Sequence, residues 1–416
     1  MTWIYNTALF FYSIIVQIAA LFNKKARQFV QGRRNWKENL QQKIDKKASY
    51  IWFHCASLGE FEQGRPVIEE IKKQFPQYKI ILTFFSPSGF EIRKNYDLAD
   101  IVSYLPLDTR RNATSFLSIV KPKKVFFVKY EYWHHYISEL KRRNIPLFII
   151  SAIFRENQPF FKNSMWGKWY RKMLFQVEHF FIQNENSELL LKKIGINNFT
   201  ISGDTRFDRV YSIATGSKKL PVVDKFKGNS LLIIAGSTWK PDEELLTAFI
   251  NQSTNLKFII APHEVSTVNI NRIHQLLKKP AISFSKLTES EIESYDVLII
   301  DSIGILSSLY RYGNVAYIGG GFGVGIHNIL EAATFGLPVI FGPNYQKFKE
   351  AVELINTGGA VSIQDYNELE SVFNKLLSNN VVLKNQSEIC KNYVAENIGA
   401  TQIIIEKVFN KQRLLD

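Results

Sequence analysis

The sequence predicts an α/β protein with two lobes, each built around a parallel sheet. Short apolar runs alternate with amphipathic stretches along most of the 416 residues, which is typical of consecutive βα units. A chain of this length exceeds one ordinary core. A polar segment at 215–229, rich in Gly, Pro and Lys, interrupts the alternation and predicts a linker. Two such lobes imply a cleft, with ligands beyond the carboxyl ends of the strands.

The first segment, residues 3–22, contains no charged residue, and about 20 helical residues just span a bilayer core. No Lys or Arg precedes it, which disfavours a signal peptide. Six basic residues follow within 24–37, so the rest of the chain is expected in the cytoplasm. We therefore predict a membrane-anchor helix over 1–23, with the rest of the chain on the cytoplasmic face of the membrane. A buried N-terminal helix of a soluble protein is the alternative.

The apolar runs after the anchor predict the strands of both lobes. In the first domain, 24–214, strands are predicted at 50–55, 79–84, 124–128, 147–151, 179–183 and 200–202. In the second domain, 230–416, strands are predicted at 231–235, 257–261, 297–300, 315–318 and 337–341. Helices are predicted between them, including 61–75, 133–143 and a last one from about 386.

The formal net charge of +14 requires an anionic partner or location. Anionic lipid and phosphorylated substrates fit it. Nucleic acid fits least, because no basic arm, zinc-finger spacing or RNP-like motif is present. Cys55 and Cys390 are far apart and lack nearby ligand residues, so neither a disulfide framework nor a zinc site is expected.

Acidic and basic side chains follow the strands of the first lobe. Glu60 follows the first predicted strand through small residues, where a carboxylate can act as a base or simply complement a helix dipole. Glu131 follows the third predicted strand, as a second acid at this edge or a partner of Lys129. Arg206, after the last strand, can neutralise a phosphate or lie on the surface.

In the second lobe the strongest signal is the glycine-rich string Gly-Gly-Gly-Phe-Gly-Val-Gly at 319–325. It leads from a strand into a predicted helix, so backbone amides can face a phosphate. Ser237 and Thr238 form a second small-residue turn, which is either an anion site or an ordinary helix cap. His263, at the end of the next strand, is more often a loop histidine than a functional one.

Taken together, these strings resemble the bacterial 3-deoxy-D-manno-octulosonic acid (Kdo) transferases over nearly the whole chain. The Ser-Leu-Gly-Glu string at 57–60 is similar to the family's S-V-G-E motif, and the Glu-Tyr-Trp string at 131–133 to its E-x-W segment. The block at 203–208 is similar to G-N-x-K-F-D. Gly-Ser-Thr at 236–238, His-Asn-Ile-Leu-Glu at 327–331 and the Leu-Pro-Val stretch from 337 complete the match.

The resemblance implies two Rossmann-like lobes of the glycosyltransferase-B type and an inverting Kdo transfer from CMP-Kdo to a lipid IVA-type acceptor. It implies Glu60 as the general base, Glu131 as an assisting carboxylate and Arg206 in place of the family's lysine. Neither a cofactor nor a catalytic metal is implied. The donor-binding residues implied are Ser237, Thr238, Pro262, His263, Ile303, Gly304, Ile305, His327, Asn328, Ile329, Leu330 and Glu331.

Two departures from the family pattern affect the donor site. The family's Pro-Arg-His is shortened to Pro262-His263, and Ile305 replaces the acid of Met-Gly-Glu.

Two other functions stay open: a two-lobe glycosyltransferase with a UDP-sugar donor, and a catalytically silent membrane protein that binds anionic lipid. An NAD oxidoreductase is disfavoured, because the glycine-rich string lies late in its lobe.

Overall fold

The computed structural model describes residues 1–217, 219–288 and 291–409. The chain divides into two compact units. Unit 1 comprises Met1–Arg209 and Ile398–Asp416, of which residues 410–416 lie outside the described part, and unit 2 comprises Val210–Asn397.

Each unit contains one parallel sheet, as predicted. The strands of unit 1 are β1 Ser49–Cys55, β2 Tyr78–Phe84, β3 Ile101–Tyr104, β4 Lys124–Val128, β5 Leu147–Ala152, β6 His179–Ile182 and β7 Phe199–Ile201. Those of unit 2 are β8 Leu231–Thr238, β9 Leu256–Pro262, β10 Ala281–Ser283, β11 Val297–Ile299, β12 Val315–Ile318, β13 Val339–Phe341 and β14 Ala360–Ser362.

Helices connect the strands on both sides of each sheet. They are α1 Thr2–Phe22, α2 Lys24–Gln31, α3 Trp36–Lys43, α4 Leu58–Gln74, α5 Pro87–Arg93, α6 Arg110–Val120, α7 His134–Arg142, α8 Met165–Leu174, α9 Glu185–Lys193, α10 Thr205–Gly216, α11 Pro221–Lys227, α12 Lys240–Gln252, α13 Thr267–Leu276, α14 Leu306–Leu309, α15 Leu330–Thr334, α16 Lys349–Thr357, α17 Tyr366–Ser378, α18 Asn380–Asn397 and α19 Ala400–Phe409.

In each sheet the strand order reverses beside the first strand of the unit. The described strands of unit 1 are ordered β3-β2-β1-β4-β5-β6-β7, and those of unit 2 are ordered β10-β11-β9-β8-β12-β13-β14. The reversal lies between β1 and β4 in unit 1 and between β8 and β12 in unit 2. At such a switch point the connections leave in opposite directions, which opens a crevice at the carboxyl edge of the sheet.

The predicted strands are present, but three short ones were missed. These are β3, β10 and β14, of three or four residues each, at or next to a sheet edge. A run this short carries too few apolar residues to be distinguished from a loop. Glu131 therefore follows the fourth strand of unit 1, not the third.

The domain boundaries also differ from the prediction. The segment 215–229 contains α11, in which Val223 and Phe226 are buried, so this polar stretch is partly folded into unit 2. The predicted last helix is two helices, α18 and α19. Helix α19 belongs to unit 1, where its apolar side joins the core through Ile404 and through Phe409, whose ring stacks on Phe75 at 4.4 Å.

Among the described residues, α1 is the one helix long and apolar enough to cross a membrane, with a mean hydropathy of 1.6. Its first half contacts the rest of unit 1. Near its start, the Tyr5 hydroxyl donates to Asp108 at 2.6 Å. Near its middle, the Tyr12 ring stacks on the Phe85 ring, with the centroids 6.5 Å apart. Helix α1 therefore lies along the surface of unit 1.

Candidate active site

The first candidate site lies at the switch point of unit 1, where β1 and β4 end. Ser57 caps α4, and Glu60 occupies the third helical position. Glu60 Oε2 accepts hydrogen bonds from the backbone amides of Ala56 and Ser57, the second at 3.2 Å. The capping role considered from the sequence is therefore real. It engages Oε2 of the carboxylate, which has a second oxygen for chemistry.

Glu60 has the electrostatics of a base that works near neutral pH. Its pKa is raised to about 7, first by burial and then by the negative charge of Glu131. The amides of Ala56 and Ser57 and the ammonium of Lys129 act in the opposite direction. A helix-capping carboxylate at the surface has no comparable reason for such a shift. Because Glu60 and Glu131 influence each other, the structure brings these two predicted residues together.

Glu131 is buried, with 7% of its surface exposed, and its Oε2 is held by two neighbours. The indole Nε1 of Trp133 donates to it at 2.6 Å, and the imidazole Nε2 of His54 lies 3.0 Å away. Trp133 belongs to the Glu-Tyr-Trp string at 131–133, but no role was predicted for either neighbour. The signal for His54 was a single polar residue within an otherwise apolar strand.

Arg206 is held at the same corner of unit 1. Its Nε donates to Asp204 Oδ2 at 3.0 Å, and Asp204 also accepts from the Gln63 amide at 3.0 Å to each oxygen. Gln63 lies on α4, one turn after Glu60. Burial raises the pKa of Tyr130, and the negative charges of Glu60 and Asp204 raise it further. Tyr130, Glu60 and Asp204 are therefore neighbours. Asp204 and Gln63 were not predicted.

The second candidate site lies at the switch point of unit 2, between the ends of β8 and β12. The carboxylate of Asp242 is fully buried and joins the two ends. Its Oδ2 accepts from the amides of Trp239 at 2.8 Å and Gly320 at 2.9 Å, and its Oδ1 accepts from the Tyr317 hydroxyl at 2.7 Å. Asp242 therefore fixes the glycine-rich string against the end of β8.

Three aromatic rings form a stack at this edge. The His263 ring lies 4.4 Å from the Trp239 ring and 4.5 Å from the His327 ring, measured between centroids. The Trp239 Nε1 also donates to His327 Nε2 at 3.0 Å. Burial lowers the pKa of His327, and neighbouring His263 lowers it further. The two predicted histidines are thus brought together, with a tryptophan that was not assigned to the site.

The other predicted donor residues are divided by burial. The side chains of Ile329 and Leu330 are buried in the core, so only their backbone can meet a ligand. Glu331 accepts from Ser307 at 2.5 Å and from Asn328 at 3.1 Å. These bonds connect the 327–331 string to Ser307, which follows the predicted donor residues Ile303, Gly304 and Ile305. The side chain of Ile303 is 89% exposed.

The remaining members of this set lie on β8 and β9. Ser237 adopts a left-handed backbone conformation with a φ of 53°. The Thr238 hydroxyl donates to buried Glu243 at 3.1 Å, and the Thr238 carbonyl accepts from the His263 amide at 2.9 Å. Pro262 pairs with Thr238 in the ladder of β8 and β9. The Thr238 side chain is thus already used within the protein.

The helix predicted directly after the glycine-rich string is shorter and begins later than expected. Helix α15 begins at Leu330 and has only five residues. Its aligned peptide dipoles are few, so its N-terminus cannot be the anion site expected near His327.

Solved structures with low sequence identity share this architecture. UDP-GlcNAc 2-epimerase from Neisseria meningitidis is 16% identical, with a TM-score of 0.60 over 87% of this chain and 100% of that one. A glycosyltransferase from Rickettsia africae is 12% identical, with a TM-score of 0.54 over 89% and 99%. Two parallel sheets, each with polar groups at its switch point, define a protein of the glycosyltransferase-B fold class.

Sequence comparison relates the chain to one family of transferases. Residues 34–209 match the family model described as 3-deoxy-D-manno-octulosonic-acid transferase (kdotransferase). The 3-deoxy-D-manno-octulosonic acid transferase of Aquifex aeolicus is 28% identical over 337 residues, which cover 79% of this chain and 86% of that one. Further transferases of the same description match at 24–29% identity. Residues 34–209 therefore match a Kdo transferase domain, and the chain is similar to Kdo transferases over most of its length.

Proposed function

We propose that the protein transfers Kdo from CMP-Kdo to a lipid IVA-type acceptor with inversion at the anomeric carbon. Glu60 removes the proton of the acceptor hydroxyl as that hydroxyl attacks. The single observation that carries this role is the raised pKa of Glu60, at the switch point of a Rossmann-like sheet. Similarity to the Kdo transferases supports the substrates.

The two other groups of unit 1 have separate roles in this proposal. Glu131 stabilises positive charge that develops on the donor sugar, by analogy with oxocarbenium-like glycosyl chemistry. Arg206, held by Asp204, neutralises charge on the leaving phosphate. In unit 2, the glycine-rich string and the stack of His263 and His327 are the proposed contacts to the CMP moiety.

The direct test is to incubate the purified protein with CMP-Kdo and a lipid IVA-type acceptor and to measure the mass of the product. The expected product is heavier by one or more Kdo residues. A parallel reaction with UDP-sugars tests the second enzyme function considered from the sequence. Turnover with a UDP-sugar and none with CMP-Kdo would overturn the proposal, and lipid binding without any turnover would support the silent lipid-binding protein.

The pH dependence of transfer follows from the pKa of Glu60. A general base acts in its ionised form, and the pKa of Glu60 is raised to about 7. We expect kcat to rise with pH through this value and to fall about tenfold per pH unit below it. An acid limb centred near the ordinary glutamate pKa, measured with a saturating donor, would contradict the proposed base.

Transfer is expected to persist in excess EDTA. Enzymes that use nucleotide diphosphate sugars often hold a divalent ion with closely spaced carboxylates, and the chain contains no Asp-x-Asp pair. A CMP-sugar carries a single phosphate, so its leaving group needs less neutralisation, which Arg206 supplies. Arg206→Ala should therefore reduce kcat far more than chelation does. Activity that disappears with EDTA and returns with magnesium would contradict this assignment.

Helix α1 is proposed to attach the protein to the inner membrane from its cytoplasmic face. A 21-residue helix is about 31 Å long. Because unit 1 contacts α1 at Tyr5 and again at Tyr12, two turns further on, an arrangement in the plane of the membrane surface fits better than a span. The side facing away from unit 1 is apolar and exposed, with Phe11 at 57% and Ile15 at 63%.

A double variant, Phe11→Glu with Ile15→Glu, tests this attachment in the full chain. Each side chain inserted in lipid contributes about 1.5–3 kcal/mol, so binding to anionic vesicles should fall at least about tenfold. Asn39→Glu with Gln41→Glu, two exposed positions of unit 1, is the control with the same added charge. Flotation of the α1 variant equal to that of the control would contradict the attachment.

A further inference from the structure

His54 is a buried polar residue that the proposed mechanism has not yet used. It lies on β1 with no exposed surface, in ladder register with Thr83 on β2 and Phe127 on β4. The neighbouring residues Phe53 and Cys55 are also fully buried. An imidazole ring in such a place costs free energy unless both of its nitrogens are paired.

Both nitrogens are paired. Nδ1 lies 2.9 Å from the Thr83 hydroxyl and 3.1 Å from the Thr83 carbonyl. The Thr83 hydroxyl is itself fixed, since the indole Nε1 of Trp52 donates to it at 2.7 Å. Nε2 lies 3.0 Å from Glu131 Oε2 and 3.2 Å from the indole Nε1 of Trp133, which is closer to the same carboxylate at 2.6 Å. Two adjacent strands thus hold the ring in one orientation, with Nε2 directed at the carboxylate.

Stability does not account for this arrangement. A buried polar pair stabilises a protein little more than apolar side chains of similar volume would, because both groups must be desolvated. The sheet around His54 is apolar, and Trp133 already supplies Glu131 with one donor. With its proton on Nε2, His54 is a second donor, and this donor fixes which way the Glu131 carboxyl group faces. Fixed orientation of a charged group is what electrostatic stabilisation in an active site requires.

We propose that His54 is a positioning residue, which holds Glu131 as an oriented carboxylate beside Glu60. This inference rests on the proposed function, in which Glu60 is the base and Glu131 the assisting carboxylate. His54 itself touches no substrate in this proposal. It acts through Glu131, and Thr83 and Trp52 act through His54 by fixing the ring.

The charge on Glu131 also has a consequence for the base. The ionisable groups around the two carboxylates are, from β1 and α4, His54, Cys55, Glu60 and Glu62, and, from the segment after β4, Lys129, Tyr130, Glu131 and Tyr132. Glu131 raises the pKa of Glu60, and Lys129 lowers it. A buried carboxylate that loses a hydrogen-bond donor takes up a proton more readily. Without His54, Glu131 would raise the pKa of Glu60 less.

Two amide substitutions separate the two contacts of the ring. In His54→Gln the side-chain NH₂ reaches the position of Nε2 and can still donate to Glu131. In His54→Asn the amide reaches the position of Nδ1, so the contact with Thr83 remains and the contact with Glu131 is lost. His179→Asn is the matched control, because His179 also lies on a strand of this sheet and contacts a threonine, Thr200, at 2.9 Å.

We expect His54→Asn to lower kcat by roughly 10- to 100-fold, with little change in the KM for CMP-Kdo, because a group that acts in the transition state is misplaced. The acid limb of the pH–rate profile should move to lower pH. His54→Gln should keep most of kcat and the parent profile. Equal activity of the Asn and Gln variants, or an unmoved acid limb in His54→Asn, would overturn the proposal.

A second measurement needs no activity. The ionisation of Glu60 can be followed by NMR of ¹³C-labelled glutamate in the parent, in both His54 variants and in His179→Asn. Its pKa should fall in His54→Asn and stay unchanged in the other two variants; no fall in His54→Asn overturns the proposal. If His54→Asn does not fold, Glu131→Gln removes outright the charge that His54 holds in place and should lower the pKa of Glu60 at least as far; no fall in that variant would also overturn the proposal.

These outcomes are distinct from failure of the proposed function. If Glu60 were not the base, Glu60→Gln would remain active whatever His54 does. The titration of Glu60 would still report whether His54 acts through Glu131.

Discussion

Glu60→Gln is expected to lower kcat by about 10²–10⁴, the usual contribution of a general base. Glutamine keeps the shape of the side chain, and its amide oxygen can still accept from the amides of Ala56 and Ser57, as Glu60 Oε2 does. The capping interaction is therefore retained while the basic oxygen is replaced by an NH₂ group. The fall should appear in kcat at saturating donor, with the melting temperature and CMP binding close to those of the parent.

The control for this substitution lies on the same helix. Glu62→Gln makes the same chemical change two residues away, where the carboxylate contacts Arg65 and Arg93 at the surface of α4. We expect that variant to keep at least half of the parent activity. If Glu60→Gln retains more than about a tenth of kcat, Glu60 is only a capping residue and the mechanism is wrong.

Gly319→Ala is expected to reduce kcat/KM for CMP-Kdo about 100-fold. A Cβ at Gly319 would lie 2.4 Å from the carbonyl oxygen of Ser237 and 2.5 Å from the Cα of Thr238. Both are backbone atoms, so the ends of β8 and β12 must move apart by about 1 Å. A displacement of that size in a binding loop commonly costs about two orders of magnitude in rate. Steady-state kinetics with varied donor measures the loss.

Gly323→Ala, in the same glycine-rich string, is the matched control. There the nearest atom to the new Cβ is the carbonyl oxygen of Gly320 at 3.6 Å, an ordinary contact. Its activity should stay within a few-fold of that of the parent. Similar losses in both variants would mean that flexibility of the string, and not close approach at Gly319, determines donor use.

Most of the fold could be predicted from the sequence, because long apolar strands in βα units carry a strong local pattern. The predicted range of β4 agrees with the structure at both ends, and that of β1 differs by one residue. Helix α19 could not be assigned, since its apolar side fits either core equally well from the sequence. Helix α19 belongs to unit 1 because Phe409 packs against Phe75, a residue more than 300 positions earlier in the chain.

The sequence by itself determined the class of the protein, the order of its elements and most of the residues at the ends of its strands. These are local properties: Glu60, Glu131 and the glycine-rich string each stand directly after a strand. Only the tertiary structure decided which strands are neighbours. In that structure β1 lies beside β4 and β8 lies beside β12. The carboxyl ends of these two pairs of strands are therefore the two switch points.

The tertiary structure also decided the partners of each side chain. His54 meets Glu131 across 77 residues of sequence, and Tyr5 of α1 meets Asp108 across 103. The physical reason is that strand pairing in a parallel sheet is non-local, since each pair of neighbours is separated by at least one crossover connection. The spacing of residues along the sequence does not indicate which strands pair. The proton affinity of Glu60 depends on it, because the nearby charge of Glu131 comes from a different strand end.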